Sequence, residues 1–330
     1  MADGSRAKSL RIILALLAAF ASGLMLGHHS SRVAEKLSPA SQLALPVSRS
    51  LKPNPPVHTP TRSSPKLQKV PAKPATVMDM KMEVLREYGD THVIPDQATL
   101  HTYSLVQLSA LWHSYLDHID IVCKRHLRMG SLGDGGYEIC DDIEWRPIRP
   151  CIVYSFGIRN DFSFDDDVAT VYGCDVFSFD PYTYGSSPKQ PDHVTFFRKG
   201  IGETTHGNIY TLSDLKKMLN HTEAVIDVLK IDIEENEWAA LRNLIKERQL
   251  INVRQLFIEY HHLFYAKDET RETFLSRLAQ LRAVQELGFL IFYTHKYYFN
   301  TCTRKSVAFP VVRTSCYEVH YVNVNFMRET

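Results

Sequence analysis

Several sequence features that would assign a function directly are absent. The 330 residues carry a formal net charge of +1, so no basic excess indicates a nucleic-acid partner. The six cysteines include no Cys-x-x-Cys pair, which argues against a structural zinc site. No Gly-x-Gly-x-x-Gly fingerprint of dinucleotide-binding enzymes occurs. Function must therefore be inferred from the residues at the ends of the predicted strands.

The N-terminus does contain a long apolar run. It extends from Leu10 to Leu26, with Arg6, Lys8 and Arg11 at its start. At about 1.5 Å per residue, the run barely spans a bilayer core of roughly 30 Å and lies at the lower limit for a spanning helix. A basic flank before such a run fits a secretory signal peptide or an uncleaved signal anchor, and residues 1–26 are left as either. Both alternatives place the main domain in the secretory lumen or outside the cell.

Residues 27–77 are poor in acidic and aromatic side chains. They contain nine of the sixteen prolines, and Glu35 is their only acidic residue. A segment of this kind buries too little apolar area to offset the entropy lost on ordering. We therefore predict a basic, extended stem that holds the domain away from a membrane; an ordinary disordered tail is the alternative.

The cysteines and one glycosylation sequon agree with a secretory location. Six cysteines allow fifteen complete pairings, and disulfides form mainly in oxidising compartments. Cys302 and Cys316 bracket a short segment and are candidates for a pair, whereas Cys151 and Cys174 fit either a pair or buried thiols. The sequon Asn220-His-Thr222 agrees with lumenal exposure.

Strand-like and helix-like patterns alternate along the rest of the chain. This alternation predicts a doubly wound α/β fold, with the domain over residues 151–330 and an accessory helical and loop region over 78–150. Apolar residues at helical spacing predict an accessory helix through Leu105, Leu108, Leu111, Trp112, Tyr115, Ile119 and Val122. The predicted strands are 151–157, 175–179, 193–199, 224–231, 255–259, 289–295 and 317–324, and the predicted helices lie near 164–172, 212–219, 236–247 and 271–287.

Three strand ends carry the residues from which we infer a nucleotide-type site. Gly157 ends the first strand, where a missing side chain lets a ligand approach the backbone. Asp180 ends the second strand, where an acidic side chain commonly accepts hydrogen bonds from ribose hydroxyls. Asp232 and Glu234 follow the apolar strand that ends at Ile231. Because ligands bind at the carboxyl ends of parallel strands, these residues are predicted to meet at one sheet edge.

Other strand ends add further candidates. Gly202 lies in the turn Lys199-Gly-Ile-Gly202. This turn is predicted to lie beside an adenine ring, and an ordinary β-turn is the alternative. The run Glu259-Tyr-His-His262 brings a carboxylate and two imidazoles to the same edge, and one imidazole is a candidate general base. Lys230 is a charge inside an apolar strand and must have a partner.

Taken together, these runs resemble a known family. The sequence is similar to the S-adenosylmethionine-dependent methyltransferases of the FkbM-like group over roughly residues 100–330. The resemblance implies a class I, Rossmann-like methyltransferase fold, with a seven-stranded, mostly parallel sheet whose last strand, 317–324, is reversed. The runs that carry it are Tyr154-Ser-Phe-Gly-Ile-Arg-Asn-Asp-Phe-Ser-Phe-Asp165, Val176-Phe-Ser-Phe-Asp-Pro181, Gly200-Ile-Gly202 and Leu229-Lys-Ile-Asp-Ile-Glu234.

The resemblance also implies roles for single residues. The loop Gly133–Tyr137 would lie near the cofactor or acceptor entrance, and the acceptor would be a small molecule or a glycan hydroxyl. Residues expected to bind S-adenosylmethionine are Gly157, Asp161, Asp180, Gly202, Asp232 and Glu234. From their positions at the strand ends, rather than from the resemblance, Asp232, Glu259 and His262 are the residues expected to orient the acceptor or remove its proton.

Two alternatives remain beside this interpretation. The first motif contains one glycine rather than several, which would also suit a lumenal binding protein that has kept the fold and lost turnover. The second alternative is a methyltransferase that depends on a divalent metal held by Asp232, Glu259 and His262. The favoured interpretation includes no metal.

Overall fold

The computed structural model describes residues 92–183, 193–262, 269–299, 301–306 and 312–327. The predicted signal or anchor segment and the predicted stem lie outside these residues. Over the part of the chain that is described, no helix combines the length and apolarity needed to cross a membrane.

The described helices and strands include those that the alternating pattern predicts and several short ones that it does not predict. The helices are α1 Gln97–Leu100, α2 Leu105–Leu116, α3 Ser163–Tyr172, α4 Leu212–Met218, α5 Glu237–Lys246 and α6 Arg271–Glu286. The strands are β1 His126–Met129, β2 Tyr137–Cys140, β3 Ile152–Phe156, β4 Asp175–Phe179, β5 Val194–Phe197, β6 Gly200–Ile201, β7 Ile209–Tyr210, β8 Ile226–Ile231, β9 Val253–His261, β10 Phe289–Lys296, β11 Thr303–Lys305, β12 Val312–Thr314 and β13 Cys316–Asn323.

Seven of these strands form the central sheet, in the order β10-β13-β9-β8-β3-β4-β5. Strand β13 is antiparallel to both of its neighbours, and the remaining neighbouring pairs are parallel. This is the class I methyltransferase fold that the resemblance implies. All seven predicted strands are confirmed, and the reversed strand predicted at 317–324 is β13. The four helices predicted within the domain are α3, α4, α5 and α6.

Apolar layers cover both faces of the sheet, as is usual for a mostly parallel sheet. Strand β8 is buried at every position, and so is β13. One face packs against α2, α4, α5 and α6 in a core that includes Trp112, Leu241 and Leu278. The other face packs against α3 and the β1–β2 hairpin in a core that includes Tyr137 and Val168.

The accessory helix is shorter than its apolar pattern predicts. It ends at Leu116, and Ile119 and Val122 lie beyond it with 41% and 57% of their surface exposed. The prediction that these two residues share its apolar face is wrong. The cause is Asp120, whose backbone N–H donates to the carbonyl of Ile291 at 2.7 Å while its carboxylate accepts the N–H of Ile291 at 3.0 Å. These two hydrogen bonds attach the segment that follows α2 to Ile291 of β10, and the helix does not continue through Ile119.

All six cysteines form disulfides, and none is free. Cys302 pairs with Cys316, as the short segment between them predicts. Cys151 pairs with Cys174, so the alternative of buried thiols is excluded. The third bond joins Cys123 to Cys140 and ties the start of the β1–β2 hairpin to its end.

Candidate active site

Gly157 allows two loops of the sheet edge to touch. It follows β3, has a φ of +82°, and donates its N–H to the carbonyl of Phe179 at 2.9 Å. A Cβ atom at this position would lie 1.5 Å from the carbonyl oxygen of Asp232. Because no side chain fits there, the loops after β3 and β8 can meet only through a glycine.

Asp180 connects the loop after β4 to the loop after β3. Its side chain is buried, and its Oδ2 accepts the N–H of Arg159 at 2.7 Å. Its Oδ1 accepts the N–H groups of Tyr182 and Thr183 at 2.8 and 3.0 Å. A carboxylate has about four acceptor positions. These three bonds therefore leave one position for a ligand.

The structure brings the three predicted strand ends together. Gly157 contacts the backbone of Asp232, whose N–H donates to the carbonyl of Phe156 at 3.2 Å. The N–H of Arg159, two residues after Gly157, is held by Asp180. The expectation that Gly157, Asp180 and Asp232 lie at one edge of the sheet is therefore confirmed.

Two of the loops at this edge have strained backbones. Arg159 and Asn160 follow β3 with φ angles of 46° and 65°, and Glu234 and Glu235 follow β8 with φ angles of 55° and 70°. A left-handed conformation costs a non-glycine residue of order 1–3 kcal/mol and is concentrated at ligand sites. The strain marks the same edge as the converging side chains.

Two predicted cofactor residues have local structural contacts. Asp161 is exposed, and its Oδ1 accepts the N–H of Ser163 at 2.9 Å, at the start of α3. Gly202 follows β6 and donates its N–H to the carbonyl of Tyr210 at 2.9 Å. The turn that holds Gly202 lies beside the loop after β4, because a Cβ on Gly200 would be 3.0 Å from Cγ of Pro181.

A cluster of carboxylates and one imidazole lies at the ends of β8 and β9. Ligand-type atoms of Asp232, Glu259 and His261 all lie within 4.8 Å of one another. Nε2 of His261 is 3.4 Å from Oε1 of Glu259 and 3.6 Å from Oε2 of Glu234. Nδ1 of His261 is 3.1 Å from Oε1 of Glu237. The predicted residues Asp232, Glu234 and Glu259 are thus brought together around His261.

The family of this chain follows from a comparison with known protein families. The profile of the family described as "Methyltransferase domain" matches residues 76–311, which is most of the chain. The chain belongs to this methyltransferase domain family.

Individual relatives match shorter stretches of the chain. The chain is 30% identical over 123 residues to probable methyltransferase-like protein 24 of Homo sapiens and 27% identical over 161 residues to the protein of that name from Rattus norvegicus. These alignments cover 34% and 45% of this chain and 33% and 44% of the relatives. The chain therefore spans less than half the length of the curated relatives it matches. A crystal structure of methyltransferase FkbM from Methylobacillus flagellatus KT is similar at a TM-score of 0.31 and 14% identity, over 52% of this chain and 43% of that chain.

Burial and neighbouring charges shift the pKa values of the acid–histidine cluster in the methyltransferase domain. Burial raises the pKa of Glu259, and the nearby carboxylate of Asp232 raises it further. Burial also raises the pKa of Asp232, but Lys230 and His261 act to lower it. Burial by itself lowers the pKa of His261, and hydrogen bonds to Glu237 and Glu259 outweigh that effect and raise it. Both carboxyl groups therefore have raised pKa values, His261 opposes the shift in each of them, and Lys230 opposes it for Asp232.

His262 does not join this cluster. Its ring packs between Trp112 and Phe274, with centroid distances of 4.3 and 4.7 Å, and its Nδ1 lies 2.6 Å from the guanidinium of Arg277. The structure therefore corrects the predicted position of His262 at the acidic end of β9. Side chains alternate between the two faces of a strand, so His261 shares a face with Glu259 and the residue after it does not.

Tyr137 and Lys230 complete the edge and were not among the predicted site residues. The hydroxyl of Tyr137 donates to Oδ2 of Asp232 at 3.2 Å, which places the end of the Gly133–Tyr137 loop at the site. Nζ of Lys230 lies over the ring of Tyr137 and donates to the carbonyls of Phe156 and Gly157 at 3.3 and 3.4 Å. The buried Lys230 was expected to have a partner, and its partners are two backbone carbonyls and the ring of Tyr137. Sequence gives no direct sign of these contacts, because they join residues about 70 to 95 positions apart.

Proposed function

We propose that this protein transfers a methyl group from S-adenosylmethionine to an oxygen atom of its acceptor. The observation that carries the proposal is the convergence of Gly157, Asp180 and Asp232 at one sheet edge in a chain of the methyltransferase domain family. The family implies a methyl donor; the choice of S-adenosylmethionine is our proposal.

The residues at the edge fit this donor. Gly157 keeps the backbone bare where a ligand must approach closely, and a Cβ at that position would fill the space. Asp180 is fixed by three backbone N–H groups and keeps about one acceptor position for a ribose hydroxyl. We therefore place the donor across the loops after β3, β4 and β8.

The acid–histidine cluster is suited to an acceptor that must lose a proton. When bound, S-adenosylmethionine supplies an electrophilic methyl group, whose bond to sulfur breaks with both electrons remaining on sulfur. An attacking hydroxyl forms the new carbon–oxygen bond and must release its proton. Asp232, which Lys230 and His261 help to keep ionised, would take that proton, and Glu259 would orient the hydroxyl. A hydroxyl on a glycan or a small molecule is our proposed acceptor.

Calorimetry with the full chain tests the donor site. We expect S-adenosylmethionine to bind the wild type, and Asp180→Asn to weaken binding about tenfold or more, because a hydrogen bond to a charged group contributes roughly 1.5–3 kcal/mol. Asp175→Asn is the matched control, because Asp175 is an exposed acid at the opposite end of the same strand, and it should bind as the wild type does. A folded chain that binds no S-adenosylmethionine would end the proposal, and so would unchanged binding by Asp180→Asn.

The same protein distinguishes an enzyme from a binding protein that has kept only the fold. The full chain is incubated with labelled donor and a broad panel of glycans, proteins and metabolites. Label transfer that is lost in Asp232→Asn supports the enzyme. Saturable donor binding without transfer to any member of the panel would favour the binding protein, for which the single glycine of the first motif is the supporting observation.

We further propose that the domain works in the secretory pathway, secreted or held in the lumen by a single-pass anchor at residues 10–26. Three disulfides support this location, because such bonds persist mainly in oxidising compartments. The apolar N-terminal run and the single sequon at Asn220 agree with it.

A further inference from the structure

The cluster around His261 combines the ligand types that a divalent cation requires. Asp232 and Glu259 each offer a carboxylate oxygen, and His261 offers a ring nitrogen, with these atoms all within 4.8 Å of one another. Glu259 and His261 are buried, and Asp232 is half-buried. Carboxylate oxygens suit Mg²⁺ and Mn²⁺, and imidazole suits Zn²⁺ and other transition metals. A mixed set of two carboxylate oxygens and one imidazole nitrogen suits a divalent transition-metal ion such as Mn²⁺ or Zn²⁺.

His261 is oriented as histidines in metal sites are. Its Nδ1 is 3.1 Å from the buried carboxylate of Glu237, which also accepts the N–H of Ile233 at 2.8 Å and is thereby fixed. An ionised carboxylate only accepts hydrogen bonds, so the Nδ1 position carries the proton. A carboxylate on the far ring nitrogen sets the tautomer and the ring direction in most histidine–metal sites. Nε2 then faces Glu259 and Glu234.

The nearby lysine does not neutralise the carboxylates by direct contact. Nζ of Lys230 donates to the backbone carbonyls of Phe156 and Gly157. Tyr137 supplies a neutral donor to one oxygen of Asp232. The second oxygen of Glu237, Oε2, is buried and has no hydrogen-bond partner. The imidazole of His261 is thus surrounded by the carboxyl groups of four residues, and one carboxylate oxygen has no hydrogen-bond partner. The four residues are Asp232, Glu234, Glu237 and Glu259.

We propose that Asp232, Glu259 and Nε2 of His261 bind a divalent cation, with Glu237 as the residue that positions His261. Glu234, whose Oε2 lies 3.6 Å from Nε2 of His261, is the candidate fourth ligand. The role of the ion rests on the proposed function. The ion would lie next to Asp232, whose backbone contacts Gly157 in the proposed donor site, and it would hold the acceptor oxygen close to the donor. With the ion bound, His261 is neutral and the ion supplies the positive charge beside Asp232. The rival arrangement is an imidazolium of His261 that supplies this charge and holds the carboxylates without any ion.

Mn²⁺ binding separates the two arrangements. The full chain is dialysed against chelator and then against chelator-free buffer, and Mn²⁺ is titrated in without donor or acceptor while free Mn²⁺ is followed by electron paramagnetic resonance. We expect one saturable site and a higher melting temperature. Glu259→Gln and His261→Gln should each weaken binding by more than about tenfold, and Glu237→Gln by about 10- to 100-fold, the usual effect of losing an outer partner.

Asp227→Asn is the control. Asp227 is a buried acid at the other end of β8, paired with Arg254 at 3.2 Å, and its loss should leave the Mn²⁺ affinity unchanged. Circular dichroism confirms that each variant is folded. A folded wild type that binds neither Mn²⁺, Mg²⁺ nor Zn²⁺ would overturn the site, and so would full affinity in both Glu259→Gln and His261→Gln. Because no donor is present, failure here leaves the donor-site measurement with Asp180→Asn unaffected.

Discussion

At the scale of single residues, the loop after β3 has no room for a side chain at Gly157. Gly157→Ala should abolish donor binding and lower the free energy of unfolding by more than the roughly 1–2 kcal/mol that left-handed backbone costs an alanine. The added Cβ would lie 1.5 Å from the carbonyl oxygen of Asp232 and must push the two loops apart. Urea denaturation and calorimetry with S-adenosylmethionine measure the two effects.

Two other glycines separate the clash from the backbone strain. Gly207 also has a left-handed φ, of +59°, but no atom lies within 4 Å of an added Cβ. Gly207→Ala should therefore show the backbone cost alone. Gly133 has neither constraint, so Gly133→Ala should leave the unfolding free energy unchanged. Equal losses for Gly157→Ala and Gly207→Ala would show that the contact with Asp232 does not matter.

The two neighbouring histidines at the end of β9 show what strand geometry decides at this scale. Glu259 and His261 are two residues apart in a strand and point to the same face, whereas His262 lies under Trp112. The alternation of side chains in strands could have selected His261 from the sequence. It requires knowing that the strand continues to His261, two residues beyond the predicted end at 259.

At the scale of elements, helix α2 places the imidazole of His113 in the core that contains Trp112. Nδ1 of His113 lies 2.7 Å from the hydroxyl of Tyr317 in β13, and its Nε2 is buried without a hydrogen-bond partner. Burial lowers the pKa of His113 to about 3, and Arg313 and Lys296 act in the same direction. Burial, Arg277 and His113 likewise hold the pKa of His262 well below its usual range. Protonation of either ring therefore opposes the packing of α2 on the sheet.

The contribution of His113 to the stability of the protein should consequently decrease in mild acid. The pKa of His113 is lower in the folded than in the unfolded state, so its contribution is complete above about pH 6.5 and falls as the pH drops toward 3. At pH 5 the loss from this residue is about 2 kcal/mol relative to pH 7. His113→Gln should reduce the difference between the free energies of unfolding measured by urea at pH 7 and pH 5 by that amount. His101→Gln changes an exposed histidine and should keep the wild-type difference; an unchanged difference in His113→Gln would contradict the assignment.

At the scale of the whole molecule, the proposed lumenal location predicts a glycan. Asn220 is exposed in the turn between α4 and β8, and Asn220-His-Thr222 is the only sequon of its type in the sequence. The full chain expressed in animal cells should shift to lower mass after endoglycosidase treatment. Asn220→Gln and Thr222→Ala should abolish the shift, whereas Thr222→Ser keeps the sequon and the shift. A wild type that is unglycosylated and recovered from the cytosol would contradict the location.

The sequence by itself determined the order and type of the seven strands of the central sheet and of helices α3 to α6, but not the short strands outside that sheet. Apolar strands alternating with amphipathic helices predict the parallel sheet, and the reversed strand followed from the family resemblance. Strand ends such as Gly157, Asp180 and Asp232 could be named because parallel topology sends every carboxyl end to one edge. These features depend on local pattern and on chain order, which a sequence records directly.

Only the tertiary structure decided which side chains meet at that edge and in what state. It places His261 rather than His262 among the carboxylates, brings Tyr137 to Asp232, turns Lys230 to backbone carbonyls and ends α2 before Ile119. The contacts of Tyr137 and Lys230 and the end of α2 depend on hydrogen bonds between residues far apart in the chain, and the position of His261 depends on how far β9 extends. Sequence spacing does not encode such contacts, because their energies arise only when folding has brought the partners within a few ångströms of each other.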